Sequence, residues 1–249
     1  QHHPPPPPMP KPSSTMDEAE PVPSSVSIPA LLDEHKAEID KLKALVAADA
    51  APELPAEGDG IYCLYDDIFF LRYVLSFTTA EKAIEPVREC FKYRQTPLCR
   101  ELAQMALEKR LEELPAMIEA PKWQVGAPVD AQNPGSILTD ASGGGVAVII
   151  RAGMCNMSAF VDAVPKDDMW KLHLAQREGS FQICDTVTRE KGTLAKMTMV
   201  MDMKGSKISD MTDRRSSNSH AEISKIAANV YPQLQDKFCI VNAPAWMGW

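Results

Sequence analysis

The chain is short of cations: 26 Lys and Arg stand against 34 Asp and Glu, for a net charge of −8. Nucleic-acid binding depends on clustered Lys and Arg that neutralise phosphates, so no nucleic-acid partner is expected. Broad electrostatic capture by an anionic membrane is disfavoured on the same ground. Long apolar runs are also missing. None approaches the ~18 residues that span a bilayer, and no charged-then-apolar leader opens the chain, so neither membrane insertion nor secretion is expected. Only six cysteines occur, at 63, 90, 99, 155, 184 and 239, with no CxxC pair. That is the usage of reduced, mostly buried cytosolic thiols rather than of a disulfide or zinc framework. Histidine is sparse too. His35, His173 and His220 fall in three separate elements without an HxxxH spacing, and no metal site follows. There is no GxSxG elbow. The triplet Gly143 to Gly145 precedes a strand and lacks a following Lys-Ser/Thr, so it reads as a turn rather than a phosphate cradle. Nothing assembles a nucleophile, a base and an orienting group. The expectation is a chain without catalytic residues, metal or cofactor, and not an enzyme.

What is present divides into three parts. Residues 1–29, with Pro4 to Pro8 in a row and almost no large apolar side chain, read as a disordered tail. Residues 30–120 read as helical. Leu31, His35, Ile39, Leu42 and Val46 mark one helix face, and the Pro, Ala and Gly of Ala50 to Gly60 end that helix. A nearly all-apolar helix runs from about Asp66 to Phe77. Thr78 and Glu81 have the capping-box spacing and open a helix that Pro86 should kink or restart. Thr96 and Pro97 read as N-cap and first residue of a helix lasting to about Pro115. Residues 121–249 read as an α/β lobe. After a connecting region at 115–145 come strand Val146 to Arg151, helix Asp167 to Arg189, strand Leu194 to Met203, helix Ala221 to Val230 and strand Phe238 to Asn242. Alternating strands and helices indicate a helix-covered sheet. The predicted fold class is therefore α/β, a helical N-terminal lobe followed by an α/β lobe.

One strand stands out. Side chains alternate with period two, so Ala195, Met197, Met199, Met201 and Met203 share a face. Methionine is flexible and polarizable, suited either to irregular core volume or to a pocket for variable apolar ligands. Periodicity alone favours core packing. Asp202, at the strand's C-terminal end, reads as a turn or cap residue. Arg214-Arg215-Ser216-Ser217 has the form of a basophilic phosphorylation site.

Several segments fall in the order of a known family. Asp67 to Phe77 (DIFFLRYVLSF) and Ala80 to Arg94 (AEKAIEPVRECFKYR), Val200 to Gly205 (VMDMKG), Tyr231-Pro232-Gln233, and Ile240 to Pro244 (IVNAP) resemble, in sequence, the motifs of the CRAL-TRIO lipid-binding domain. This is the type found in fungal phosphatidylinositol transfer proteins and α-tocopherol carriers. The resemblance covers residues 31 to 249. It implies that Met197, Met199 and Met201 lie on the floor of an apolar lipid cavity, with Ile223 and Ile226 from the following helix and Phe238 from the last strand. It further implies a protein that binds a single lipid, a phospholipid or other lipophile, and transfers it between membranes without covalent chemistry. Such a protein is cytoplasmic and touches the membrane transiently. The alternative is a module of the same fold that recruits a protein partner. Two departures matter. The basic pair that precedes Phe in the family's first motif is replaced by Leu75 and Ser76, which disfavours a phosphoinositide headgroup. The chain also stops five residues after Pro244, so the resemblance implies a fragment lacking the gate helix that follows this motif in the family.

Overall fold

The computed structural model describes residues 26–49, 65–107, 135–139, 146–154, 161–162, 164–208 and 214–247. Most of the proline-rich tail, the stretch 50–60, the helix end near Pro115 and the glycine triplet lie outside the described residues.

The first expected helix is two: α1 (Ile28–Glu34) and α2 (Lys36–Val46). They meet at His35, whose φ of −101° and ψ of 10° leave the helical region. The apolar face survives the break, because Leu31, Ile39, Leu42 and Val46 are all buried. The start of α1 is fixed in two ways: the Ser27 hydroxyl accepts from Ala30 N, and Ile28 N donates to Gly192 O at 2.7 Å. Helical structure thus begins at Ile28, inside the stretch read as tail.

Helix α3 (Asp67–Phe77) is capped by Asp66, whose carboxylate accepts from Phe69 N at 3.1 Å. Its C-cap is Thr78, at φ 67°, a conformation that a β-branched residue rarely adopts. Because Thr78 closes α3, the cap of α4 (Ala80–Arg94) falls one residue later than the capping-box spacing suggests. Thr79 Oγ1 accepts from Lys82 N. Pro86 neither ends nor restarts α4, which runs through it. Helix α5 (Pro97–Leu107) starts as expected, with Thr96 Oγ1 accepting from Cys99 N at 3.2 Å.

The α/β part contains β1 (Gly135–Thr139), β2 (Val146–Arg151), α6 (Lys166–Lys191), β3 (Met197–Asp202), α7 (Arg214–Val230) and β4 (Gln235–Val241). The sheet order is β1-β2-β3-β4. β2, β3 and β4 are parallel, and β1 is antiparallel to β2. β1 falls in the stretch read as a connection. A five-residue strand after Pro134 has too short a pattern to be seen, and its pairing with β2 supplies the order. α6 ends at Gly192, at φ 65°, the left-handed C-cap position that glycine fills without a Cβ clash.

The helical and α/β parts share one hydrophobic core. Leu71, Val74, Val87 and Cys90 belong to the same cluster as Val148, Leu174, Phe181, Met197, Ile223 and Ala227. Among the described residues no helix is long and apolar enough to cross a membrane.

Candidate functional site

The sheet has two unlike faces. Two successive crossovers of the same hand in a parallel sheet place both of their helices on one side. In parallel pairing, Val148, Met199 and Phe238 are partners and share a face, as do Ile150, Met201 and Ile240. This is the side that α6 and α7 cover. Val148, Met197 and Met199 are buried in the cluster that holds Leu174, Phe181 and Ile223, with Ile150 and Ile226 packed against it. Met197 is 1% exposed and Met199 8%. The structure therefore brings Met197, Met199, Ile223 and Ile226 together, in packed helix-on-sheet core. Met201 lies nearer the strand ends and is half-buried. Phe238, on the edge strand, is 46% exposed, so it stands apart from the other four.

The opposite face carries Ala147, Thr198 and Lys237 in one row, Ile149, Val200 and Cys239 in the next, and Arg151, Asp202 and Val241 in the last. Ile149 and Val200 are half-buried, Cys239 is exposed and Val241 is 41% exposed. Its middle is apolar and its two ends are polar.

Adjacent strand ends are tied together. Asp202 Oδ1 accepts from Lys204 N at 3.0 Å and from Asn242 Nδ2 at 2.8 Å. These two hydrogen bonds hold the Asp202 carboxyl below its ordinary pKa, the Asn242 bond contributing most. Asn242 has φ 52° and Gly205 φ 81°, so the VMDMKG and IVNAP segments each turn through a left-handed residue of a suitable type. Asp202 thus serves as the turn residue its position suggested.

A buried polar cluster lies where α3, α4 and the turn after α7 meet α6. Glu178 is fully buried, and Arg94 Nη1 donates to its two carboxylate oxygens at 3.0 and 3.3 Å. Tyr231 OH donates to Glu178 Oε2 at 2.7 Å, and Gln182 Nε2 reaches Oε1 at 3.5 Å. Burial pushes the Glu178 carboxyl up to about 7, while the Tyr231 and Gln182 hydrogen bonds pull the other way. Burial likewise raises the Tyr231 phenol well above its usual value. Arg94 also lies over the rings of Phe181 and Tyr231, at 5.6 and 5.5 Å, an attraction to the negative faces of the rings. A second branch starts at Arg72, equally buried. Its Nη2 donates to Thr188 Oγ1 at 3.0 Å and lies 3.5 Å from Asp185 Oδ1. Thr188 Oγ1 in turn donates to Cys184 O and accepts from Ala195 N. Arg189 joins Asp185 to the α3 cap, donating to Asp185 at 2.7 Å and to Asp66 at 2.6 Å.

This cluster is not among the residues expected from the sequence, although its members sit inside the quoted motifs: Arg72 in DIFFLRYVLSF, Arg94 at the end of AEKAIEPVRECFKYR, and Tyr231 in the Tyr-Pro-Gln turn. A signal was present. A lone arginine in an otherwise apolar helix has to be paired once buried. Arg72, Arg94, Glu178 and Tyr231 of this cluster are all buried. Its geometry fixes the helical part onto α6. Among the described residues no group of three His, Cys, Asp or Glu side chains could hold a metal ion.

Residues 139–249 match the family model of the CRAL/TRIO domain. The match covers 111 of the 249 residues. The matched stretch takes in most of the described sheet and both helices that cover it. Members of this family are lipid-binding and lipid-transfer proteins, and in general not enzymes. Among solved structures the chain is similar to the crystal structure of Sfh5, with 15% identity and a TM-score of 0.46 over 85% of this chain and 72% of that one. No curated protein matches it.

Proposed function

We propose that the CRAL/TRIO domain of this chain binds one lipid against its sheet and exchanges it with membranes, without covalent chemistry. The observation that carries this is the apolar middle of the face opposite α6 and α7. Ile149, Val200, Cys239 and Val241 keep partial or full exposure there, whereas Met197 and Met199 on the other face are buried. Burying an acyl chain gains ~0.8 kcal/mol per methylene relative to water, but a lipid leaving a bilayer starts in equally apolar surroundings. Transfer is then close to thermoneutral and runs both ways, and selectivity rests on shape and on the few polar groups at the rim. Thr198, Arg151 and Asp202 supply such groups. In this reading the protein works in the cytoplasm and meets the membrane briefly, in keeping with its net negative charge.

Cys239 provides the test, because it stands in the middle row of the exposed face. The purified chain is extracted with organic solvent for mass spectrometry, and alkylation of Cys239 is timed before and after incubation with phospholipid vesicles. Co-purified lipid, or lipid-dependent protection of Cys239, is the expected result. No lipid in the extract together with an unchanged alkylation rate would overturn the reading. The tight packing of Met197 and Met199 favours a second reading, a module that keeps the fold and recruits a protein partner; that negative outcome would select it.

A further inference from the structure

Among the donors on helix α6 that have no acceptor among the described residues are the Trp170 indole and the Arg177 guanidinium. The Trp170 indole N–H is buried without a hydrogen-bond partner, and such a group is costly to leave unmet. Arg177 is half-buried, and among the described residues the ionisable group that bears on its charge is the Tyr231 phenol rather than a carboxylate. Burial makes its positive charge harder to hold, as the lowered guanidinium pKa reflects.

The two belong to one stripe. Lys166, Trp170, His173 and Arg177 are spaced by four, three and four residues, one side of a helix. Helix α7 runs alongside in the same direction. At one end Lys166 Nζ pairs with Glu222 of α7 at 2.7 Å, and at the other the phenol of Tyr231, the residue that follows α7, acts on the Arg177 charge. Lys166 also sits over the Trp170 ring at 5.1 Å. Its charge is matched by Glu222, whereas Arg177 meets no carboxylate among the described residues. Seven residues separate Trp170 and Arg177 by about 10 Å along the axis, a gap that two long side chains can close around one small group.

We propose that the groove between α6 and α7 binds an oxyanion of the phosphate type, held between the Arg177 guanidinium and the Trp170 indole N–H. A guanidinium fork matches phosphate oxygens in pairs, and a tetrahedral oxyanion has further acceptors for the indole. This groove belongs to the helix layer, on the other side of the sheet from the exposed apolar face, so the proposal stands independently of lipid binding there.

The test is titration of the full chain with inorganic phosphate at constant ionic strength, read by phosphorus NMR linewidth against a chloride control. Saturable binding is expected, weakened about tenfold or more in Arg177→Gln, the loss of one charge-assisted contact. Weakening of several-fold is expected in Trp170→Phe, which keeps the ring and removes the N–H, and part of the affinity should remain in Arg177→Lys. Because Arg177 has no carboxylate partner among the described residues, Arg177→Gln should melt at the wild-type temperature, which separates a lost site from a lost fold. A second arm distinguishes the sources of the group. If vesicles containing phosphatidic acid, but not pure phosphatidylcholine, displace phosphate, the natural ligand is a lipid headgroup; if neither does, it is a soluble phosphate compound. Absence of saturable phosphate binding, or equal binding by Arg177→Gln and wild type, would overturn the proposal.

Discussion

Replacing Arg94 by Met should destabilise the fold by an amount that depends on pH. Methionine fills much of the space of the arginine stem and removes the charge that faces Glu178 at 3.0 Å. A carboxylate with no exposed surface, stripped of its cation, is an uncompensated buried charge, which costs about 3–5 kcal/mol. The carboxyl has another course, which is to take a proton. In the intact protein burial already pushes Glu178 up to about 7 from its ordinary 4.5, and losing Arg94 pushes it further. Near pH 5 the variant therefore holds a neutral acid that still bonds Tyr231, and the cost shrinks toward the ~1–2 kcal/mol of lost hydrogen bonds and packing. At pH 8 the full penalty returns. The sign for the wild type follows from the same shift. A carboxyl whose folded pKa exceeds its unfolded one gives its stabilisation below 4.5 and loses it as pH rises to about 7, roughly 3 kcal/mol for this group. Urea denaturation of wild type, Arg94→Met and the double variant Arg94→Met/Glu178→Gln at pH 5, 6.5 and 8 measures all of this. The double variant should recover most of the loss at pH 8, since a neutral amide needs no counter-charge. A pH-independent cost for Arg94→Met, or a double variant no better than the single one, would refute the reasoning.

Two further outcomes can be checked in the same way. Thr188→Val keeps the shape but removes a hydroxyl that accepts from Arg72 and Ala195 N and donates to Cys184 O. Stranding these groups should lower stability by about 2–4 kcal/mol, with Thr188→Ser close to wild type; a change under about 0.5 kcal/mol in Thr188→Val would show that the bonds matter little. Gly153→Ala would place a Cβ 1.9 Å from the Lys204 carbonyl oxygen, a backbone clash that must shift the turn after β3. A loss of about 1–3 kcal/mol and faster hydrogen exchange at Ser206 N, whose bond to Met203 O closes that turn, are expected.

The helices were legible where one local signal decides them. Asp66 before an apolar run, and Thr96 before Pro97, each cap the helix they announce. Misplacements came where two signals compete for one residue. Thr78 can open α4 or close α3, and its left-handed backbone commits it to closing α3. His35 fits the apolar periodicity, yet the chain leaves the helical region there, and α2 resumes with the same face inward. β1 was hidden because five residues carry no usable periodicity, and its order comes from pairing with β2, remote in the folding argument though near in sequence. The buried cluster was hidden for another reason. Arg94 and Glu178 are 84 positions apart, so neither charge discloses its partner, and only the oddity of Arg72 in an apolar helix pointed to a buried pair.

The methionine strand shows the limit of pattern reading most clearly. Alternation identifies Met197, Met199 and Met201 as sharing a face but cannot say what that face meets, since helices and a lipid present equally apolar surfaces to it. Topology decides for the first two. With β2, β3 and β4 parallel and joined through α6 and α7, both helices settle on one side, and Ile223 and Phe181 join the cluster that buries Met197 and Met199. The alternate positions Val200 and Cys239 are left to the other side, bordered by the Asp202–Asn242 tie at the strand ends. Alkylation kinetics at Cys239 and at a cysteine introduced as Met199→Cys separate the two sides directly. Lipid that slows the first and leaves the second unreactive throughout places the ligand on the face away from the helices. A lipid-dependent change at position 199 would instead mean that α6 and α7 part from the sheet to admit it.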